Sequence, residues 1–264
     1  MLRGALHIHS TYSDGEFTLP ELRELFTASG CAFSCVTDHA DWFDDDRLMA
    51  YRDECARLSD QRFQFVAGLE YGCVDRMHVL GYGVTAPVAS TQPETVIRHI
   101  QANGGIAVIA HPKETSFLAI EGFDPRPDGV EVWNSKYDGR YAPRAATFDL
   151  LRRMRTQSAD LHAFYGIDLH WRRQYRGLLT DVDADTLDAR QILAALAAGR
   201  FAGVRERATL PSDGVLSTAQ LAAFARVNRR AQALRTWTRS VKQTIERLGV
   251  VVPGPIKAEL RRFF

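Results

Sequence analysis

A chain of 264 residues can bury a full hydrophobic core, and at 45% hydrophobic and 25% charged it has the composition of a globular enzyme, not of a disordered or membrane protein. A formal net charge of +1 gives no overall pull toward nucleic acid or an anionic lipid surface. The charge is uneven: residues 215–264 hold ten Lys or Arg against two Glu, a net +8 that leaves −7 for residues 1–214.

The N-terminus enters a strand at once, without the long apolar stretch of a signal peptide, and no apolar run approaches a membrane span. A cytoplasmic, non-membrane protein is expected. Cys31, Cys35, Cys55 and Cys73 all sit in apolar surroundings and read as buried thiols in a reducing compartment.

Leu2 to Ile8 alternates as a first strand. Thr18-Leu19-Pro20-Glu21 is a capping box with proline in the first turn, so a helix starts there and stops at Gly30. A strand over 32–36 precedes a helix over 44–58, whose stripe is Leu48, Tyr51, Cys55 and Leu58. Strands follow at 63–67 and 77–82, then a helix at 93–102 and a buried strand at 106–110. The same alternation continues with a strand at 130–133, a helix at 143–157 and a strand at 163–167. A helix at 188–198, a strand at 201–204 and one long helix or helical hairpin over 217–248 complete the chain. This alternation predicts an α/β fold of parallel strands covered by helices. We expect a barrel domain over 1–210 and a basic, amphipathic helical extension over 211–264. The extension's apolar stripe, which includes Leu221, Phe224, Val227 and Trp237, should pack on the barrel or on a partner subunit, which leaves a homodimer open.

Histidines and carboxylates fall at the ends of these segments. His7 and His9 stand at i and i+2 of a strand, so both can face the interior. Asp14 lies on a turn before Gly15, His39 follows Asp38, and Glu70 ends its strand. His78, His111, Asp168 and His170 complete nine candidate ligands, with Asp38 a candidate acceptor for orienting the His39 ring. Soft nitrogens and hard oxygens gathered at one rim suit a polynuclear site for Zn, Mn or Fe. His99, on a helix, and His162, in a polar segment, read as structural.

These residues resemble the motifs of the PHP (polymerase and histidinol phosphatase) superfamily. The opening motif is matched by His7-Ile8-His9 with Asp14, the second by Asp38-His39, and the third by Glu70 with His78. The fourth is matched by His111-Pro112 and the last by Gly166-Ile167-Asp168-Leu169-His170, so the resemblance covers residues 1 to about 205. It implies a distorted (β/α)7 TIM-like barrel with two or three divalent ions. One ion would be held by His7, His9, Glu70 and Asp168, and a second by Glu70, His78 and His111. A third would use Asp14, His39 and His170.

Two close divalent ions lower the pKa of a bridging water and produce hydroxide at neutral pH. That chemistry predicts hydrolysis of a small phosphomonoester or phosphodiester, with Glu70, Asp168 and His170 central to it. Lys113, Lys136 and Arg140 are the candidate phosphate contacts, and Trp133 or Tyr137 could stack on an aromatic group. The same hydroxide would also attack a non-phosphate ester, carbamate or amide, and a third alternative is a non-catalytic regulatory module with structural metals. Nucleic acid is not the expected partner, because the tail's apolar stripe points first to helix packing.

Overall fold

The computed structural model describes residues 1–138, 142–206 and 208–247. The chain opens with β1 (Leu2–Ile8), α1 (Leu19–Ala28), β2 (Phe33–His39) and α2 (Asp45–Arg57). Next come β3 (Gln64–Cys73), β4 (Met77–Tyr82), α3 (Pro93–Ala102), β5 (Ile106–Ala110) and the short α4 (Phe117–Glu121). The second half holds β6 (Gly129–Asn134), α5 (Ala145–Arg155), β7 (His162–Gly166), β8 (Leu179–Val182) and α6 (Ala189–Ala197). It ends with β9 (Phe201–Arg205), β10 (Ala208–Pro211) and α7 (Thr218–Arg247).

Local chemistry places the helix starts. Thr18 and Glu21 cap α1 reciprocally, and the Asp44 and Asp188 carboxylates accept first-turn N–H groups of α2 and α6. α3 lays Val96, Ile97 and Ile100 into the core, against strands that are buried along nearly their whole length. Cys31, Cys35 and Cys55 are buried thiols and Cys73 is half-buried, with no disulfide among them.

The strands form one ten-stranded sheet in the order β10-β9-β8-β1-β2-β3-β4-β5-β6-β7. This corrects the expected seven-stranded parallel barrel. The β1–β2, β2–β3, β5–β6 and β6–β7 pairs are parallel, and the other five are antiparallel. The reason at β4 is length. Only residues 74–76 separate it from β3, too few for a crossover, and Asp75 and Arg76 take left-handed φ to turn the chain back. The sheet curls until it nearly closes on itself. Ile167 N–H donates to Leu6 O at 3.0 Å, Leu169 N–H to His7 O at 3.3 Å, and His9 N–H to Leu169 O at 3.0 Å. β1 therefore shares one edge between two partners, β8 along Leu2–Gly4 and the segment after β7 along Leu6–His9.

The C-terminal extension is one helix where described, and residues 248–264 of the expected extension lie outside the described residues. Its first turns sit on the barrel. Leu221 and Phe224 pack against the core, the Phe224 ring lies 6.5 Å from that of Trp133, and Asn228 Nδ2 donates to Pro143 O at 2.7 Å. Trp237 is 63% exposed, which corrects the expectation that it packs on the barrel with its neighbours. A straight helix rises about 1.5 Å per residue, so Trp237 stands well beyond the turns that meet α5.

Two expected outcomes follow from this packing. Phe224→Ala should lower unfolding stability by about 1–3 kcal/mol, whereas Trp237→Ala should stay within about 0.5 kcal/mol. Denaturant titration of both variants measures the contrast, and a larger loss from Trp237→Ala would refute the exposure seen here. The other concerns Asp138, in the turn after β6, where its carboxylate accepts from Asn134 N–H and from Arg144. Burial pushes this carboxyl up to about 6, a rise that Arg144 only partly offsets. Its folded pKa lies above the unfolded value of about 4, so between these values the folded chain binds more protons. The stability Asp138 contributes is present below about pH 4 and is lost as pH rises through about 6, by up to ~1.4 kcal/mol per unit. Asp138→Asn should remove this slope; identical pH profiles for the two proteins would contradict the assignment.

Candidate metal centre

The topology brings all nine candidate ligands to one rim. β1 delivers His7 and His9 as it ends. His39, the last residue of β2, is the register partner of Glu70 on β3. β4 runs the opposite way and so contributes from its start, where His78 pairs with Gly72 of β3 and Ala110 of β5. His111 follows β5, and Asp168 and His170 follow β7.

Glu70 lies at the middle. Its Oε2 is 3.1 Å from His9 Nε2, 3.4 Å from His7 Nε2 and 3.4 Å from His39 Nδ1. Its Oε1 is 2.6 Å from His78 Nδ1 and 3.2 Å from His111 Nε2. Asp168 Oδ1 approaches His9 at 3.7 Å, His7 at 3.8 Å and His170 Nδ1 at 3.1 Å. Asp14 Oδ1 stands 3.2 Å from His170 Nε2, 3.6 Å from His39 Nε2 and 3.7 Å from His9 Nδ1.

Four groups have ligand atoms close enough together to hold an ion: His9, Asp14, His39 and His170; His7, His9 and Asp168; His7, Glu70 and His111; and His39, Glu70 and His78. Buried His7 Nε2 and both ring nitrogens of His9 have no hydrogen-bond partner. Such orphaned nitrogens are costly in a dry interior unless something else binds them, and a divalent cation fits that need. The donor set of imidazoles and carboxylates is likewise that of a multi-metal site.

The electrostatics answer to the same crowding. Burial alone would raise the Glu70 and Asp168 carboxyls, but the surrounding imidazoles outweigh it and hold both well below the usual carboxylate range. Burial pulls His9 down to about 4. It also works against His170, yet Asp14 and Asp168 overcome it and hold that ring up at about 9. Asp14 in turn is lowered to about 2, its partial burial outweighed by His170, His9 and His39.

The other expected residues divide. Lys136 reaches the centre, with Nζ 3.0 Å from Asp168 Oδ1 and 3.3 Å from His170 Nδ1. Burial works against its charge, but Asp168 prevails and raises its pKa. Lys113 is exposed on the loop after His111, and Arg140 lies outside the described residues. Tyr137 is exposed with its ring 4.6 Å from His111, whereas Trp133 is core. Asp38 does not serve the His39 ring as expected. Its carboxylate accepts from the N–H and hydroxyl of both Ser10 and Ser13, tying down the loop that carries Asp14. His99 and His162 contact the backbone oxygens of Ala86 and Ala197, as structural histidines.

Two residues at the site had escaped the sequence reading, Glu131 and Asn134 of β6, both fully buried. The available signal was a carboxylate inside the apolar run Val130-Glu131-Val132, since a charge in a central strand needs a specific partner.

No family model matches the sequence, and no curated protein matches it. Solved structures share its fold. A two-domain protein from Bacteroides vulgatus containing a predicted PHP-like metal-dependent phosphoesterase is 16% identical with a TM-score of 0.56, over 79% of this chain and 66% of that one. This chain thus spans just under two thirds of that protein's length. An amidohydrolase from Chromobacterium violaceum, with bound sulfate and no metal, is 18% identical with a TM-score of 0.50, over 68% of this chain and 92% of that one. PsfC from Pseudomonas syringae is 16% identical with a TM-score of 0.51, over 89% of this chain and all of its own. The chain thus shares the fold of these structures, and its own imidazoles and carboxylates cluster at one rim in groups that could hold metal ions.

Proposed function

We propose that this protein is a metal-dependent phosphoesterase acting on a small phosphomonoester or phosphodiester. The observation that carries the reading is Lys136, a cation set 3.0 Å from Asp168 Oδ1 at the edge of the ligand cluster. An ammonium there can bind a phosphoryl oxygen and offset the negative charge that grows during transfer. Neutral esters and amides carry less charge for it to meet.

The residues suit two or three divalent ions, Mn, Fe or Zn. His7, His9, Glu70 and Asp168 would hold one, Glu70, His78 and His111 a second, and Asp14, His39 and His170 a third. Bound there, the ions supply an activated water at neutral pH and counter-charge for the phosphoryl group. Glu70 reaches both sides of the cluster through its two oxygens. Asp168 links the Lys136 ammonium to the His7, His9 and His170 rings. Tyr137, exposed beside His111, gives the mouth an aromatic wall against which a substrate's leaving group can lie.

Glu70→Ala should remove nearly all turnover and reduce bound metal while the barrel still folds; plasma emission analysis alongside kinetics tests this, and unchanged metal content would contradict the shared-ligand role. Substrate class is decided by a panel of phosphomonoesters, phosphodiesters, carboxylic esters and amides, run after reconstitution with Mn, Fe or Zn. Phosphoester turnover is expected, with Lys136→Ala raising KM roughly tenfold or more for those substrates. Strong ester or amide turnover without phosphoesterase activity would replace this reading with the broader hydrolase one.

A further inference from the structure

Three of the nine ligand residues have left-handed backbone: His7 at φ 61°, His111 at φ 27° and Asp168 at φ 55°. None is a glycine, so each conformation is strained and persists only where its surroundings impose it. The same two side chains of β6 reach all three. Glu131 Oε1 lies 2.9 Å from His7 Nδ1. Glu131 Oε2 accepts the backbone N–H of His111 at 2.9 Å and the Nδ2–H of Asn134 at 2.8 Å. Asn134 Nδ2 also lies 3.4 Å from Asp168 Oδ2. Asn134 is itself fixed, because its Oδ1 accepts the N–H groups of Lys136 and Tyr137 at 3.0 and 3.1 Å. Room for the Glu131 carboxylate depends on Gly166 of β7, where an added Cβ would fall on Glu131 Oε1.

We infer that Glu131, locked by Asn134, is a positioning residue that sets which nitrogen of His7 faces metal and holds His111 and Asp168 in their strained backbone conformations. The argument for the tautomer is one of hydrogen-bond capacity. Glu131 already accepts from His111 N–H and Asn134 Nδ2–H through Oε2, and with Oε1 facing His7 Nδ1 as an acceptor that nitrogen carries the proton. The lone pair then sits on Nε2, the buried nitrogen without a partner, 3.4 Å from Glu70 and 3.8 Å from Asp168. A glutamine at 131 cannot serve all its neighbours. If its oxygen accepts from His111 and Asn134, its NH2 faces His7 Nδ1, favours the opposite tautomer and turns a proton toward the metal.

The test uses the full chain loaded with zinc, which is diamagnetic, and labelled with 15N-histidine. In the wild type, His7 should show a protonated Nδ1 and a zinc-bound Nε2; the reverse assignment would overturn the inference without any variant. Glu131→Gln should fold with a near-native melting profile, lose roughly 10–100-fold in zinc affinity and lose the protonated-Nδ1 signature of His7. Glu131→Gln with wild-type affinity and an unchanged His7 signature would also overturn it. A purely structural role for Glu131 would shift melting and leave the tautomer alone, which counts against the inference equally. The inference rests on the cluster holding metal and not on the substrate. Wild-type protein that binds zinc yet leaves phosphoesters intact would sink the functional reading, and the tautomer result would still decide this one.

Discussion

A buried carboxylate must be neutralised, and Glu70 is almost wholly buried with five imidazoles within 3.4 Å of its oxygens. Those five rings come from β1, β2, β4 and the loop after β5, so a single charge couples four places in the sheet. The arrangement uses the reversal at β4. A parallel strand in its place would present its end at this rim, whereas the antiparallel strand presents its start. His78 is therefore brought opposite Gly72, two residues past Glu70. At β4 the departure from regular βα alternation brings a candidate ligand to the rim from the start of a strand.

The opposite side of the cluster depends on β6. Glu131 and Asn134 carry no ligand role of their own, yet they bond to residues from β1, the loop after β5 and the segment after β7. Burying so polar a pair in a central strand is unfavourable unless each atom is satisfied. Here both Glu131 oxygens and both ends of the Asn134 amide have partners. Left-handed backbone at three candidate ligands is the strain; this network supplies the surrounding determination that such strain requires. Asp38 does comparable work on the first loop, where four donors from Ser10 and Ser13 converge on it.

Much of this could be read from the sequence where the cause is local. The Thr18–Glu21 capping box and the HxH spacing each act within a few residues, and α1 starts where its box places it. Nine ligand-type residues at segment ends pointed to one rim because strand ends on a curled sheet share a rim. What escaped was set at a distance. The antiparallel pairing of β4 turns on a three-residue link whose Asp75 and Arg76 carry no glycine signal for a left-handed turn. β8 and β10 are four residues each, too short for a periodic pattern to declare itself, and find their place through β1 and β9. Asp38 stands beside His39 in sequence yet serves a loop 25 and 28 residues earlier. The exposure of Trp237 reflects where the barrel stops, which no stripe on α7 records.

Closure of the sheet and assembly of the site are one event. β1 cannot pair along its full second edge with β8, because β8 covers only Leu2 to Gly4. The remaining edge is taken by Ile167 and Leu169, and the bonds they make alternate with His7 and His9. Asp168, between them, is thereby turned inward against His7 and His9, and His170 follows with its ring 4.0 Å from that of His9. A slip of one residue in this short pairing would carry Asp168 out of its place beside His7 and His9. The apolar residues that flank it, Ile167 and Leu169, are fully buried and resist that slip. Hydrophobic packing thus fixes the register that places the candidate ligands, and they need no independent force to find one another.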